Sequence, residues 1–598
     1  MCHNHNFDIE NFEKNFDEKL LKLERAYETP TYENALELKG VFKELLNMEK
    51  IDHTKLHNLL RSNGFTKNYK NSFLIQSVYL LYDKNELTKE QQLHLQNILR
   101  IKRCKSHSGI NSITIFTSAY PEYIDEDGTL KKQMFSCKYD CHFCPKPPDM
   151  PRSYLRQEPG VMRAVQYEFD PCRQMWGRMK SLYQIGHQID KLEVLVLGAT
   201  WSSYPILYRE QFIRDTYYAA NTFWDQDKRK KGTLKEEIDI NRDTKCRVIG
   251  LTLETRPDCV NKREIQRFRS YGCTRIQLGV QHIDNDILKA NNRQCTTERF
   301  IKGMKMLKDS GYKVDIHIMP NLYTTTPEKD RDMILNKLLG RKSDTRIEQI
   351  GDISWEYHDI AEPSLSADQW KLYPTAITVY TELERLYREG IYVPYPEEEL
   401  TKLLYDTKLN MYSWIRTNRI IRDIPQTVII ASSNKSNAGQ VILDMLKKNG
   451  DVCMCIRCRE TKEKYWDGTY QIVVREYKAS EGKEYFISAE SQDKLTLYGF
   501  TRLRLCQPAV DIFPELEGCA LIRELHVYSN MNPVGENNNT VQHKGIGKRL
   551  ISIAEKIAQD NGFRNMAIIA GVGVKRYYEK IGYFNDSEGK GDFMIKHF

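Results

Sequence analysis

Between residues 190 and 375 the chain alternates short apolar runs with longer amphipathic ones. LEVLVLG (192–198), RVIGLTLET (247–255), RIQLGV (275–280) and KVDIHIMP (313–320) are rich in β-branched residues, and stretches such as KREIQRFRSYG and ERFIKGMKMLKDSG stand between them. Buried parallel strands with helical crossovers satisfy such an alternation, which predicts a partial or full (β/α) barrel. In barrels of this kind the chemistry sits at the carboxyl ends of the strands. The segment WDQDKRKKGTLKEEIDINRDTK (224–245) breaks the pattern and predicts an exposed insertion.

Upstream, residues 1–100 carry apolar positions at three- and four-residue steps, as in YENALELKGVFKELL and TKEQQLHLQNILRIKR, the signature of amphipathic helices. A strand-like run, SITIFTSAY (112–120), leads from them into the central region. Past residue 465 the texture changes again. YQIVVREY, YFISAES, LTLYGFTRLRL and ALIRELHVY read as successive strands, followed by the helix GIGKRLISIAEKIAQDNGF and the strand NMAIIAG. That succession predicts a second, α+β domain. Four regions result: a helical region 1–100, an α/β domain 101–395, a linker 396–465 and an α+β domain 466–598.

Composition narrows the class. The 598 residues are 40% hydrophobic, and 89 Lys and Arg against 81 Asp and Glu leave a formal charge of +8, which permits an anionic partner without demonstrating one. The start, MCHNHNFDIENFEKNFDEKLLK, has no basic stretch followed by an apolar one, so no secretory signal is expected, and no run reaches the roughly 18 apolar residues of a spanning helix. A soluble cytoplasmic protein without a membrane partner is expected. Of the 15 cysteines, nine are scattered and six form two tight triplets, a distribution unlike a disulfide framework.

Cys137, Cys141 and Cys144 stand in FSCKYDCHFCP. Three thiolates in one loop can hold three irons of a cubane and leave the fourth open, whereas a zinc site short of one ligand or three incidental thiols are the plainer alternatives. The spacing, with Phe143 before the last cysteine, resembles the radical-SAM signature. That resemblance implies a 4Fe-4S cluster whose open iron binds S-adenosylmethionine and whose electron cleaves the sulfonium to a 5′-deoxyadenosyl radical.

Further segments are similar, in order, to the Elongator catalytic subunit family: EPGVMRA (158–164), YEFDP (167–171), LTLETRPDC (251–259), YGCTRIQLGVQ (271–281), KDSGYKVDIHIMP (308–320), KLYPT (371–375), IRDIP (421–425), IRELHVY (522–528) and GVGVKRYYEKIGY (571–583). The resemblance covers roughly residues 85–598. It implies an enzyme that carboxymethylates carbon 5 of the wobble uridine in a tRNA anticodon stem-loop. The deoxyadenosyl radical would take a hydrogen from the acetyl methyl of acetyl-CoA, the carbon radical would add to the base, and hydrolysis of the thioester would follow. Accessory Elongator subunits are possible partners. The resemblance makes Lys191 an acetyl-CoA contact and a catalytic residue; taken alone, a lysine ahead of a strand is merely solvated. Glu254 and Arg256, at a strand end, are expected to face a cofactor or to form a structural salt bridge.

Cys453, Cys455 and Cys458, in VCMCIRCRE, suit a structural zinc site, with a second iron–sulfur cluster as the rival. Relatives imply zinc. The fourth ligand, a histidine or cysteine, is left open. QHKGIGKRL (542–550) resembles the GNAT acetyltransferase signature, in which Gly545 and Gly547 let backbone amides at a helix N-terminus approach a pyrophosphate. Ile546, Gly547 and Lys548 are therefore expected to bind acetyl-CoA, as are Glu524, Leu525, His526 and Val527 of the family's acyl-CoA strand. Tyr578 matches the family's acetyl-CoA contact and is the expected general acid toward the thiolate; in the plainer reading one of Tyr577 and Tyr578 is core. Two other readings compete: a protein lysine acetyltransferase with a structural iron–sulfur cluster, and a non-catalytic tRNA-binding scaffold.

Overall fold

A computed structural model of the chain describes residues 29–67, 69–100, 109–340, 345–432, 437–461, 468–528, 545–585 and 591–598. Expectations placed on 1–28 and on Gln542–Lys544 of the glycine signature lie outside the described residues. Among the described residues no helix is long and apolar enough to cross a membrane. The chain divides into two compact units.

The first unit joins the N-terminal residues to 177–189. Its helices are Tyr32–Glu37, Lys39–Leu45, His53–Ser62, Asn71–Asp83 and Lys89–Leu99. Side chains start them: Thr31, Asp52 and Thr88 each accept a hydrogen bond from the third backbone N–H that follows. Leu38, Val41, Phe42 and Leu45 meet Leu56, Leu60, Leu74, Val78, Leu95 and Leu99 in one core. The three- and four-residue steps thus become a single buried stripe.

The second unit holds two large sheets and two small two-stranded ones. Seven strands, all parallel, form the first in the order Asn111–Phe116, Lys191–Leu197, Arg247–Thr255, Arg275–Gln281, Lys313–Ile318, Gln369–Leu372 and Arg416–Arg419. Among the described residues the outer two do not pair, so the barrel is partial. Helices cover its outer face. Thr297–Asp309 buries Phe300, Met304 and Leu307, and Gly303 lets it approach the turn after the third strand, where a Cβ would stand 3.2 Å from the Pro257 carbonyl. Arg275–Gln281, Lys313–Ile318 and Gln369–Leu372 are buried on both faces, as the apolar runs suggest, but the second strand is not. Along Lys191–Leu197 buried and half-exposed positions alternate, so one face looks onto a partly open lumen.

The second sheet has nine strands, in the order Phe584–Asn585, Met594–His597, Asn565–Ile568, Cys519–Val527, Leu497–Leu505, Gly482–Glu490, Gln471–Ala479, Ile353–His358 and Arg346–Ile350. The helix Ile546–Asp560 packs Leu550, Ala554 and Ile557 onto it. Two features depart from the sequence reading of the boundaries. Residues 346–358, assigned there to the α/β domain, extend the C-terminal sheet, because Ile353–His358 pairs in parallel with Gln471–Ala479. The last barrel strand, Arg416–Arg419, falls in the expected linker. The insertion 224–245 is also not simply exposed. Its helix Leu234–Asn241 buries Glu237, whose carboxylate accepts hydrogen bonds from Arg229, from the Gly232 N–H and from Asn221. A charge that needs three donors cannot stay on an unstructured loop.

Buried charge joins the two sheets. Asp368, just ahead of the sixth barrel strand, accepts both guanidinium arms of Arg523 at 2.7 Å, and Arg523 also reaches Glu484 at 2.6 Å. Arg504 adds Glu484 at 2.9 Å and Asp309 at 3.0 Å. Lys308 sits fully buried 3.8 Å from Asp368 and 3.7 Å from Glu484. Truncation of one member leaves the others uncompensated, so Asp368→Ala should destabilise the protein by about 3–5 kcal/mol, read as a lower midpoint of urea unfolding. The same seam dictates acid sensitivity. Burial alone would raise the carboxyls of Glu490 and Glu524, but Arg475 and Arg459 on one, and Lys313 and Arg502 on the other, hold both at about 2. A depressed folded value contributes stability above the ordinary 4.5, and that contribution disappears as pH falls from 4.5 toward 2. An acid titration followed by near-ultraviolet circular dichroism should show loss of tertiary signal in that window, and Glu524→Gln should flatten it.

Candidate functional site

The loop of Cys137, Cys141 and Cys144 lies over the carboxyl ends of the parallel strands. The Cys137 thiol is 3.4 Å from the hydroxyl of Thr200, beyond the second strand. Arg256, directly after the third strand, and Arg293 donate to the Cys141 sulfur at 3.6 and 3.5 Å. Both arginines are buried, at 1% and 5% exposure, and Cys141 is buried with them. Asp258 holds Arg256 at 2.9 Å, and the Arg256 guanidinium lies 3.6 Å from the centre of the Tyr139 ring. The salt bridge weighed for Arg256 therefore exists, yet the same guanidinium faces a cysteine of the loop. Burial, then Cys141, pushes the Cys144 thiol up to about 12; cations or a bound metal are what would draw off such a proton. Arg422 of IRDIP donates to Glu158 of EPGVMRA at 2.7 Å, so two segments far apart in sequence close the same end of the barrel.

The second triplet is tighter. The sulfurs of Cys453, Cys455 and Cys458 all lie within 4.8 Å of one another, the only such group of potential ligand atoms among the described residues. One tetrahedral ion with metal–sulfur bonds of about 2.3 Å holds its sulfurs roughly 3.8 Å apart, so the spacing suits a single ion. No described histidine, cysteine or carboxylate joins the three as a fourth ligand. Instead the buried ammonium of Lys408 approaches Cys455 at 3.2 Å and Cys458 at 3.3 Å. Hydrogen bonds from Cys453 and Cys458 hold the Cys455 thiol well below its ordinary range.

The residues expected to hold acetyl-CoA gather at a wedge in the second sheet. Cys519–Val527 pairs with Asn565–Ile568 only through Ile522, and beyond that point the two strands part. Leu525 and Val527 line the opening beside Gly547, where a Cβ would meet the Tyr577 hydroxyl at 2.9 Å. Gly545 takes a φ of +79° as the helix begins, a conformation that favours glycine. Ile546 is buried, and Lys548 lies in the first turn. Tyr578 is buried in the domain core; burial first, then Tyr577 and Glu524, push its phenol up, so it stays protonated as a donor. Of the pair, Tyr578 is thus the core residue and Tyr577 the exposed one, with its hydroxyl at the glycine turn. Glu524 is bound by Arg502 at 2.9 Å and by Lys313 at 3.5 Å. His526 lies 4.3 Å from the Tyr528 ring, and burial lowers its imidazole.

Lys313 opens the fifth barrel strand, so the wedge faces the amino ends of the parallel strands and the first cysteine triplet faces their carboxyl ends. Lys191 opens the second strand at that same amino end. It shares the lumen face with Glu193, which pairs with Arg275 at 2.9 Å. From there the lumen is polar. Arg275 donates to Thr252 and Gln369, Asn418 to Gln369 and Asp315, Gln277 to Asp315, and Lys371 to Gln277. Glu254 and His317 follow, 3.6 Å apart. Sequence reasoning singled out Lys191 and Glu254 here but missed Arg275, Gln277, Asp315, His317, Lys371 and Asn418. The available signal was a polar residue at every second position of RIQLGV and KVDIHI.

Known proteins resemble the chain over most of its length. A family model described as the Radical SAM superfamily matches residues 134–338, and one described as the Radical_SAM C-terminal domain matches residues 367–448. A tRNA uridine(34) acetyltransferase of Methanocaldococcus jannaschii is 34% identical over 528 residues, covering 85% of this chain and 88% of that protein. The Elongator complex protein 3 of Homo sapiens is 33% identical over 473 residues, covering 76% and 80%. A solved structure of an archaeal Methanocaldococcus infernus Elp3 with its residues 1–46 deleted superposes with a TM-score of 0.64 at 30% identity, over 82% of this chain and 100% of that one.

Proposed function

This chain belongs to the family of the tRNA uridine(34) acetyltransferases and Elongator complex protein 3, and from that premise we propose that it carboxymethylates carbon 5 of the wobble uridine of tRNA, using S-adenosylmethionine and acetyl-CoA. The observation that carries the reading is the Cys141 environment. Two buried guanidiniums that reach one thiol of a radical-SAM-type loop, besides their bonds to Asp258 and to backbone carbonyls, suit an anionic thiolate-bound cluster. Cys137, Cys141 and Cys144 would hold a 4Fe-4S cluster, which when bound with S-adenosylmethionine supplies a carbon radical able to take hydrogen from an acetyl methyl.

The remaining tasks fall to this chain's own side chains. At the wedge, the turn at Gly545 to Lys548 suits a pyrophosphate, and Leu525 and Val527 offer an apolar wall to a pantetheine arm. Lys191 and Lys313, at the barrel's amino end, would meet the acetyl-CoA arm where it leaves the wedge. Tyr578 keeps its proton and would contact acetyl-CoA at the wedge, a donor available to the thiolate of the coenzyme. Exposed Lys43 and Arg61 on the N-terminal helices, and Lys50 in the connection between them, are available to tRNA phosphates. Cys453, Cys455 and Cys458 would hold a structural zinc ion, with the Lys408 ammonium balancing thiolate charge beside it. A cytoplasmic location and accessory subunits belong to the same reading.

Mass spectrometry of tRNA reacted with both cofactors and a reductant should reveal 5-carboxymethyluridine. The triple replacement of Cys137, Cys141 and Cys144 by Ala should abolish it; wild-type protein that carries iron and cleaves S-adenosylmethionine yet leaves the tRNA unchanged would refute the proposal. Separately, Cys455→Ser should remove about one zinc per chain by elemental analysis while iron content stays constant. Unchanged zinc would reassign the second triplet.

A further inference from the structure

The wedge and the first cysteine triplet lie at opposite ends of the same parallel sheet, so a reaction that uses both must bridge the length of a strand, about 17–20 Å. Packed barrels fill that space with branched apolar side chains in layers. Here the middle of the lumen carries Gln277, Gln369 and Asn418, three side-chain amides linked to one another through Asp315, Lys371 and direct contact. The inward positions Lys191, Glu193, Leu195 and Leu197 are half-exposed although they line the inside of the sheet.

Two buried polar atoms on this face have no partner among the described residues. His317 is 6% exposed with its Nε2 unpaired, and Asp315 is fully buried with its Oδ1 unpaired. An unpaired buried acceptor or donor is costly, and such an atom inside a lumen points to a ligand that satisfies it. At the mouth beside the wedge Lys313 pairs with Glu524 and Arg416 with Glu460, with Lys191 next to them, whereas amides occupy the interior, where a neutral arm would pass.

We propose that the polar lumen is the passage for a neutral, amide-bearing acyl-thioester arm, entering at Lys191 and Lys313 and ending at His317 and Lys371 below the cysteine loop. Gln277, Gln369 and Asn418 pair with the amides of the arm. Asp315 accepts an amide N–H, and Lys371 and the His317 imidazole position the thioester carbonyl. This rests on the acetyl-CoA reading given above and adds the route by which the acyl end reaches the cluster.

Two measurements on the full chain test it. In Leu195→Cys the new thiol stands on the lumen wall, and its alkylation by iodoacetamide can be followed by peptide mass spectrometry. Alkylation should proceed in the free protein and slow about tenfold with saturating acetyl-CoA. An introduced thiol that never reacts, or that reacts equally fast while calorimetry reports bound acetyl-CoA, overturns the passage. Leu195→Trp should obstruct it. Uncoupled reductive cleavage of S-adenosylmethionine should stay within about twofold, while deuterium transfer from trideuteroacetyl-CoA to 5′-deoxyadenosine falls about 100-fold. Transfer equal to wild type would also overturn the passage. If wild-type protein itself binds no acetyl-CoA and transfers no deuterium, the functional reading fails instead, and the two failures are told apart by the wild-type control.

Discussion

The positions of the two candidate sites depend on the charge cluster of Asp368, Arg523, Glu484 and Arg504 at the seam between the sheets. Asp368 also accepts the Val314 N–H, and Arg523 donates to the Tyr312 carbonyl, so the cluster grips the backbone at the amino ends of the fifth and sixth barrel strands. Buried ion pairs contribute little net stability compared with apolar residues of similar size, because desolvation offsets their attraction. Their effect is geometric. Sliding one sheet over the other would leave several ions unpaired, so a single register survives. Arg502 carries that register into the wedge by holding Glu524 from below and the Trp414 carbonyl from above. Gly571 shows how close the fit is, since a Cβ there would stand 2.0 Å from the Ile249 carbonyl.

What could be read from the sequence was local. The two cysteine triplets were visible because ligand spacing is set by a few consecutive residues, and the glycine turn before Ile546–Asp560 was visible for the same reason. The lumen was not. Arg275, Gln277, Asp315 and His317 occupy alternate positions in runs whose other residues are apolar, and a run that reads as buried on both faces conceals one polar face. The pairing of Ile353–His358 with Gln471–Ala479 links residues more than 100 positions apart in parallel, and no turn signal announces such a contact. Lys408 beside Cys455 was invisible too, because a lysine among leucines on Glu397–Leu409 reads as the solvated edge of a helix.

Several segments that mark the family meet in space although none is adjacent in sequence. KLYPT supplies Lys371 to the Gln277 of YGCTRIQLGVQ, KDSGYKVDIHIMP brings His317 to the Glu254 of LTLETRPDC, and IRDIP brings Arg422 to the Glu158 of EPGVMRA. Each segment reads alone as an ordinary strand end or turn. Together they build the inner wall and the upper rim of one half-barrel, which gives a physical reason for their occurrence as a set.

The two thiol triplets differ in what surrounds them, and the difference follows from position. Cys453, Cys455 and Cys458 share one lysine and lie close enough for one ion, in a segment joined to the start of the last barrel strand through the Ile456 N–H and the Ile415 carbonyl and to the C-terminal sheet through Glu460 beside Leu497. A metal there would stiffen a joint. Cys137, Cys141 and Cys144 lie over open strand ends, with paired guanidiniums behind and a polar lumen below. Parallel strands make the two ends of a sheet chemically unlike, and a fold that places a wedge at one end and a thiol loop at the other gains from both ends only if the space between stays passable. An apolar lumen would be better packed and more stable by ordinary reckoning. Buried amides, an imidazole whose Nε2 and a carboxylate whose Oδ1 have no partner among the described residues are the kind of local cost that folds retain at working sites.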